Sequence, residues 1–147
     1  MEPMKKATLQ GYKANSIDEV PIGAVIVKDG KVIASAYNLR EKDQIATHHA
    51  EILAIQKANK KLKSWRLDDC DIYVTLEPCP MCAGAIMNAR LRSIHYAVPD
   101  TDNGGFSKFD LTHSVNHNIE IYHDQEYEEE NKKLIQTFFK QKRKAKK

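Results

Sequence analysis

HAE at residues 49–51 and PCPMC at residues 78–82 are the two stretches from which the fold and the chemistry of this chain can be inferred. A histidine and two cysteines are ligands that zinc prefers, and a carboxylate beside them need not bind the metal. Structural zinc sites usually have four protein ligands, whereas catalytic sites have three and leave the fourth position to water. His49, Cys79 and Cys82 therefore predict a catalytic site for one Zn²⁺.

A closed, structural zinc site is the alternative, and it needs a fourth protein ligand. His48 is the natural candidate because it adjoins His49. The side chains of neighbouring residues diverge, which favours the open site. Cys70 lies in a polar stretch, apart from the other two cysteines, and is predicted to be an ordinary unpaired thiol.

The spacing of the site residues places them at helix ends. His49 and Glu51 are two residues apart and cannot share a helix face, but both can reach a point beyond the N-terminus of a helix that begins near residue 49. Cys79 and Cys82 can converge on one metal at the start of a second helix. Helix N-termini and zinc both favour the thiolate form of cysteine.

Glu51 is the predicted proton carrier of this site. Zinc lowers the pKa of a bound water and so supplies hydroxide near neutral pH. A carboxylate beside that water can act as a base and then, once protonated, as the acid that serves a substrate nitrogen and the leaving amine. These residues predict hydrolytic deamination of an amidine-like carbon, as in cytosine or adenine.

The composition is that of a globular protein with one unusual end. The chain has 147 residues, 41% hydrophobic and 29% charged, with a net charge of +3, and residues 1–147 are predicted to form a single domain. The last eight residues, 140–147, carry six basic side chains. Such a tail suits a polyanion such as nucleic acid, although a solvated, frayed end is the alternative.

The sequence predicts a cytoplasmic protein that does not enter a membrane. It contains no apolar run long enough to cross a bilayer, and its N-terminus lacks the apolar stretch of a signal peptide. Three cysteines, two of them in a Cys-x-x-Cys pair, fit metal binding in a reducing compartment better than a disulfide framework.

Hydrophobic periodicity predicts an α/β fold with a mixed five-stranded sheet covered by helices. Asp29-Gly30 is a strong hairpin signal between the first two strands, and Thr47 is the predicted cap of the helix that carries Glu51. Helices between the later strands predict parallel pairing there. The predicted helices are 4–14, 49–62, 80–90 and 125–142, the predicted strands are 22–27, 32–37, 72–76, 94–98 and 119–122, and 99–118 is a predicted loop.

The chain resembles the bacterial tRNA-specific adenosine deaminases of the cytidine deaminase superfamily. The resemblance is carried by VPIGAV at 20–25, Asn38, HAE at 49–51 and TLEPCPMCAGA at 75–85. It implies a three-layer α/β/α cytidine-deaminase-like fold, a homodimer, and one zinc ion per chain. It also implies deamination of the wobble adenosine in the anticodon loop of an arginine tRNA to inosine.

The resemblance also assigns substrate contacts. Asn38 falls at the position that hydrogen-bonds the flipped base, and Ala50 and Phe139 are expected at the substrate site. Phe138-Phe139 is similar to the family's C-terminal aromatic pair, of which Phe138 is predicted to be in the core. The sequence departs from the family at His48, where a small residue is usual, and in the loop 100–107, which is not the family's usual lysine- and glycine-bearing version.

Two other functions fit parts of the pattern. A deaminase of free nucleobases or nucleosides, of the guanine or cytosine type, would share the zinc chemistry but would not need a basic tail. A zinc-stabilised RNA-binding module without activity would not need Glu51.

Overall fold

The computed structural model of the protein describes residues 2–112 and 114–145, so Lys146 and Lys147 of the predicted tail lie outside the described residues. The helices are α1 (Pro3–Ser16), α2 (Arg40–Asp43), α3 (Ala50–Leu62), α4 (Pro80–Asn88) and α5 (Glu128–Ala145). The strands are β1 (Gly23–Lys28), β2 (Lys31–Tyr37), β3 (Cys70–Leu76), β4 (Ser93–Val98) and β5 (Glu120–His123). Short 3-10 helices lie at Ser114–Asn116 and Gln125–Tyr127.

The five strands form one mixed sheet in the order β2-β1-β3-β4-β5. β1 pairs antiparallel with both β2 and β3, while β3–β4 and β4–β5 are parallel. Asp29 and Gly30 connect β1 to β2, and both have positive φ, as a two-residue type I′ turn requires. The predicted hairpin and the predicted parallel pairing of the later strands are both confirmed.

Helices cover both faces of the sheet, which confirms the three-layer α/β/α architecture. On one face, α3 and α4 bury small and branched side chains, such as Ala54 and Ile86, against Ile72 and Ile94. α1 packs on the other face, where Met4 lies among strand residues. α5 lies beside α1, and its contacts include Asn131 Nδ2 to Thr8 Oγ1 at 3.0 Å and Tyr12 Oη to Glu130 at 2.9 Å.

The structure corrects two predictions of local structure and contains one helix that was not predicted. The cap of α3 is His49, not Thr47, and its side chain makes no capping hydrogen bond. The short helix α2 was not predicted, because its N-terminal backbone amides bond to the distant carboxylate of Glu19. α5 runs to Ala145, so most of the predicted basic tail is the last turn of a helix rather than a separate segment.

Within the described residues, no helix is long and apolar enough to cross a membrane.

Candidate active site

The three predicted metal ligands meet where two helices begin. His49 is the N-cap residue of α3 and Cys79 is that of α4, while Cys82 lies in the first turn of α4. Pro80 begins α4, a position where the missing N–H costs nothing. Each helix therefore points its positive end at the trio, which favours thiolates.

The geometry of the trio fits zinc. His49 Nδ1 is 3.8 Å from Cys79 Sγ and 3.5 Å from Cys82 Sγ, and one ligand atom of each residue lies within 4.8 Å of the others. Tetrahedral zinc with bonds of about 2.3 Å to sulfur and about 2.0 Å to nitrogen separates those ligand atoms by roughly 3.5 Å. The side chains are thus already spaced to hold the ion with little movement.

His48, the residue considered as a fourth protein ligand, and Cys70, the predicted unpaired thiol, both lie away from the trio. His48 Nδ1 lies 2.7 Å from the Asp43 carboxylate. Cys70 is 1% exposed and packs in the core beneath α3 and α4. Across residues 2–112 and 114–145, the histidine, cysteine and carboxylate groups that could hold a metal reduce to His49, Cys79 and Cys82. This arrangement favours the open site over the closed one.

Glu51 is a buried carboxyl group beside the trio, 4% exposed. Burial raises its pKa to about 7, where a carboxyl group can both accept and donate a proton at neutral pH. A hydrogen bond from the Cys82 thiol lowers the pKa of Cys79 to about 4, and the same shared proton raises the pKa of Cys82. A cation held by the trio stabilises the second thiolate as well.

A cavity of about 230 Å³ opens onto His49, Glu51 and Cys79. Asn38, Ala50 and Phe139, the three predicted substrate-site residues, all line it. The Oδ1 atom of Asn38 is buried and has no hydrogen-bond partner in the described structure. An unpaired acceptor in a cavity wall is costly unless a ligand supplies the donor.

Sequence reasoning missed part of the cavity wall, namely Arg40, Leu76, Glu77 and Asp100. Arg40 begins the unpredicted helix α2. Glu77 directly precedes Pro78 and Cys79, and Asp100 opens the loop that departs from the family pattern. Leu76 and Glu77 lie within the stretch TLEPCPMCAGA at 75–85, and this position could have indicated that they line the cavity.

Phe138 and Phe139 have different environments, as predicted. Phe138 is 6% exposed and Phe139 is 43% exposed. Phe139 lies between the cavity and an adjoining groove of about 750 Å³. Lys142 also lines this groove, where its ammonium group contacts Asp18 and lies 5.5 Å from the Phe138 ring. Lys142 therefore lies on the ordered helix α5, at the edge of this groove.

Comparison with known proteins identifies the family. A model of the MafB19-like deaminase family matches residues 1–143. The chain belongs to this family. The deaminase is 42% identical to the tRNA-specific adenosine deaminase of Bacillus subtilis (strain 168) over 147 residues, which is 98% of this chain and 91% of that protein. The resemblance stated from the sequence is confirmed.

The other similar proteins differ in length and named activity. The chloroplastic tRNA(adenine(34)) deaminase of Arabidopsis thaliana is 50% identical over 97 residues, but these are 66% of this chain and only 7% of that protein. A structure from a study of A-to-I editing by tRNA:A34 deaminases at the wobble position superposes with a TM-score of 0.85 and 38% identity, covering 90% of this deaminase and 97% of that chain. The structure of a guanine deaminase from Bacillus subtilis superposes with a TM-score of 0.66 and 36% identity, covering 86% of each chain.

Proposed function

We propose that this deaminase converts the wobble adenosine of an arginine tRNA anticodon to inosine, as one zinc-dependent domain over residues 1–147. The observation that carries the proposal is the buried Glu51 carboxyl, with a pKa near 7, beside the His49, Cys79 and Cys82 trio. The family resemblance adds a homodimer, and the free cysteines suit the reducing cytoplasm.

In this proposal zinc supplies, from a bound water, a nucleophile at neutral pH. Glu51 would take a proton from the water that attacks C6 of adenine and donate it to the ring nitrogen N1. It would then take the proton of the new C6 hydroxyl and deliver it to the amine, which leaves as ammonia while the C6 carbonyl of inosine forms. Burial suits Glu51 to both steps because it raises the pKa of the carboxyl group to about 7, close to the pH at which the enzyme works. These are the roles described for zinc nucleobase deaminases generally.

RNA rather than a free base is favoured by what surrounds the cavity. The adjoining groove is lined by the basic residues Arg40, Lys42 and Lys142 and by the exposed ring of Phe139. Its lining also includes three acidic residues, of which Asp18 pairs with Lys142 and Glu19 accepts hydrogen bonds from backbone amides of α2, while the third is Glu41. Basic side chains bind phosphates and aromatic rings stack on bases, the two contacts that single-stranded nucleic acids use. An anticodon loop offers a base that is already easy to unstack.

Replacing Asn38 by alanine should lower kcat/KM for an anticodon stem-loop by about 10- to 100-fold, the effect of losing one buried hydrogen bond to substrate. Asn131→Ala is a matched control, because the Oδ1 of Asn131 is also buried and unpartnered but lies between α1 and α5. Steady-state kinetics on both variants separate the effects. Equal losses in the two would show that Asn38 acts only through folding.

Deleting residues 143–147 should weaken tRNA binding while keeping the contact between Lys142 and Asp18. The deletion removes four basic side chains, so the slope of log Kd against log salt should fall by up to about 3. Filter binding at several salt concentrations measures it. An unchanged slope would mean that these residues do not contact RNA, and Lys142→Ala then tests the groove itself.

A free nucleobase deaminase remains the second candidate, because the guanine deaminase from Bacillus subtilis covers 86% of this chain at 36% identity. The deciding experiment incubates the enzyme in parallel with an arginine tRNA, free adenosine, cytidine and guanine. Inosine formed in the tRNA, with little product from the free compounds, supports the proposal. Turnover of guanine or cytidine alone would overturn it.

A further inference from the structure

Glu77 is a buried carboxylate, 2% exposed, that has no part in the proton transfers proposed above. Both of its oxygens accept hydrogen bonds: the backbone N–H of Asp100 donates to Oε1 at 3.0 Å and that of Ser107 to Oε2 at 2.9 Å. The Ser107 hydroxyl lies 2.9 Å from each oxygen. A buried charge needs such partners, and here all of them come from one loop.

The loop is shaped to fit against Glu77 and the turn that carries Cys79. A Cβ atom on Gly104 would overlap the Glu77 carboxylate, and one on Gly105 would overlap Ala83. The backbone N–H of Gly105 donates to the carbonyl of Pro78 at 2.8 Å. Glycine at both positions therefore lets the loop approach the turn closely.

The loop in turn forms part of the cavity. Asp100, whose backbone N–H donates to Glu77, lines the cavity together with Leu76 and Cys79. Asp100 also caps the following turn, since its Oδ1 accepts from the backbone N–H of Asn103 at 3.1 Å. The position of Asp100 in the cavity wall, relative to the metal ligands, thus depends on the hydrogen bonds that Glu77 accepts.

We propose that Glu77 is a positioning residue: its carboxylate fixes the loop 100–107 against the Cys79 turn and thereby sets the shape of the substrate cavity. The inference rests on the proposed function only for the identity of the substrate. The hydrogen bonds between Glu77 and the loop are independent of that function. It also gives the loop sequence a physical role, because Gly104 and Ser107 accommodate the carboxylate and Gly105 lets the loop approach the turn that carries Cys79.

Glu77→Gln is the test, because the amide keeps the volume of the side chain but turns an NH₂ group toward a backbone donor. Amide hydrogen exchange at residues 100–107 should accelerate by about tenfold or more as the anchor weakens. KM for an anticodon stem-loop should rise by about tenfold with kcat changed by less than about threefold, because the ligands and Glu51 stay in place.

Asp71→Asn is the matched control. Asp71 lies at the opposite end of β3 and accepts hydrogen bonds from Ser93 Oγ at 2.6 Å and Arg92 at 2.7 Å. This variant should leave loop exchange and KM within about twofold of the parent, as expected for a change remote from the substrate. Equal shifts of KM in the two variants would overturn the proposal.

Ser107→Ala tests the same contact if Glu77→Gln loses metal or fails to fold. It removes the hydroxyl donor alone and should shift loop exchange and KM in the same direction, by about threefold. Unchanged exchange, or faster exchange with an unchanged KM, would overturn the proposal. Hydrogen exchange needs no substrate, so an error in the proposed function leaves that measurement valid, and KM is then measured on the compound that is turned over.

Discussion

Glu51→Gln should abolish most turnover while the fold and the bound zinc remain. The amide cannot take a proton from the attacking water or return it to the leaving amine, and general acid–base catalysis of this kind contributes about 10²- to 10⁴-fold. Because glutamine has nearly the same volume, the buried position of residue 51 stays filled. Single-turnover assays on an anticodon stem-loop measure the rate. Metal analysis checks that zinc is retained, and circular dichroism checks that the fold is retained.

Glu120→Gln is a suitable control for this variant. Glu120 opens β5 at the end of the sheet opposite the trio and is exposed. The rate of the Glu120→Gln variant should match that of the parent enzyme. A Glu51→Gln enzyme that retained zinc and came within about tenfold of the parent rate would remove Glu51 from the proton-transfer role, because that loss is below the usual range.

Cys82→Ala should release the metal and with it all measurable activity. Cys82 is fully buried at the centre of the trio, so alanine leaves two ligands and a void. Zinc affinity should fall by more than about 10²-fold, since even residues that only hydrogen-bond to a ligand are worth about 10- to 100-fold. Zinc content after gel filtration and the thermal midpoint, with and without added Zn²⁺, measure both effects.

Cys70→Ala provides the matched control for the loss of a buried thiol. Cys70 is as buried as Cys82 but lies in the hydrophobic core. The variant should keep its zinc and its activity and lose only about 1 kcal/mol of unfolding free energy. Loss of zinc from Cys70→Ala, or its full retention by Cys82→Ala, would contradict the assigned ligand set.

Short spacings in the sequence were sufficient to predict which residues lie together at the candidate site. His49 and Glu51 could be placed at a helix N-terminus because residues 49–62 have helical periodicity and residues two apart share no helix face, and α3 does begin at Ala50. The hairpin followed from Asp29-Gly30 for a similar local reason. Asn38 was different: its assignment came from the family resemblance, since asparagine after a strand is a common turn residue.

The buried carboxylates could not be predicted because their partners are remote in the sequence. Glu19 bonds to backbone amides 22 and 23 residues away, and Glu77 to amides 23 and 30 residues away. Glutamate in a sequence is normally a surface residue, and only tertiary structure shows that a loop or helix end neutralises it. The helix α2 and the course of the loop 100–107 were missed for the same reason.

Zinc K-edge X-ray absorption on the purified enzyme distinguishes an open zinc site from a closed one. We expect one zinc per chain, bound by two sulfurs, one imidazole and one oxygen or nitrogen that is not from protein. A second imidazole, from His48, or a third sulfur, from Cys70, would close the site and contradict a hydrolytic role for it. Protein that is purified with added Zn²⁺ and retains none would show that His49, Cys79 and Cys82 do not hold zinc.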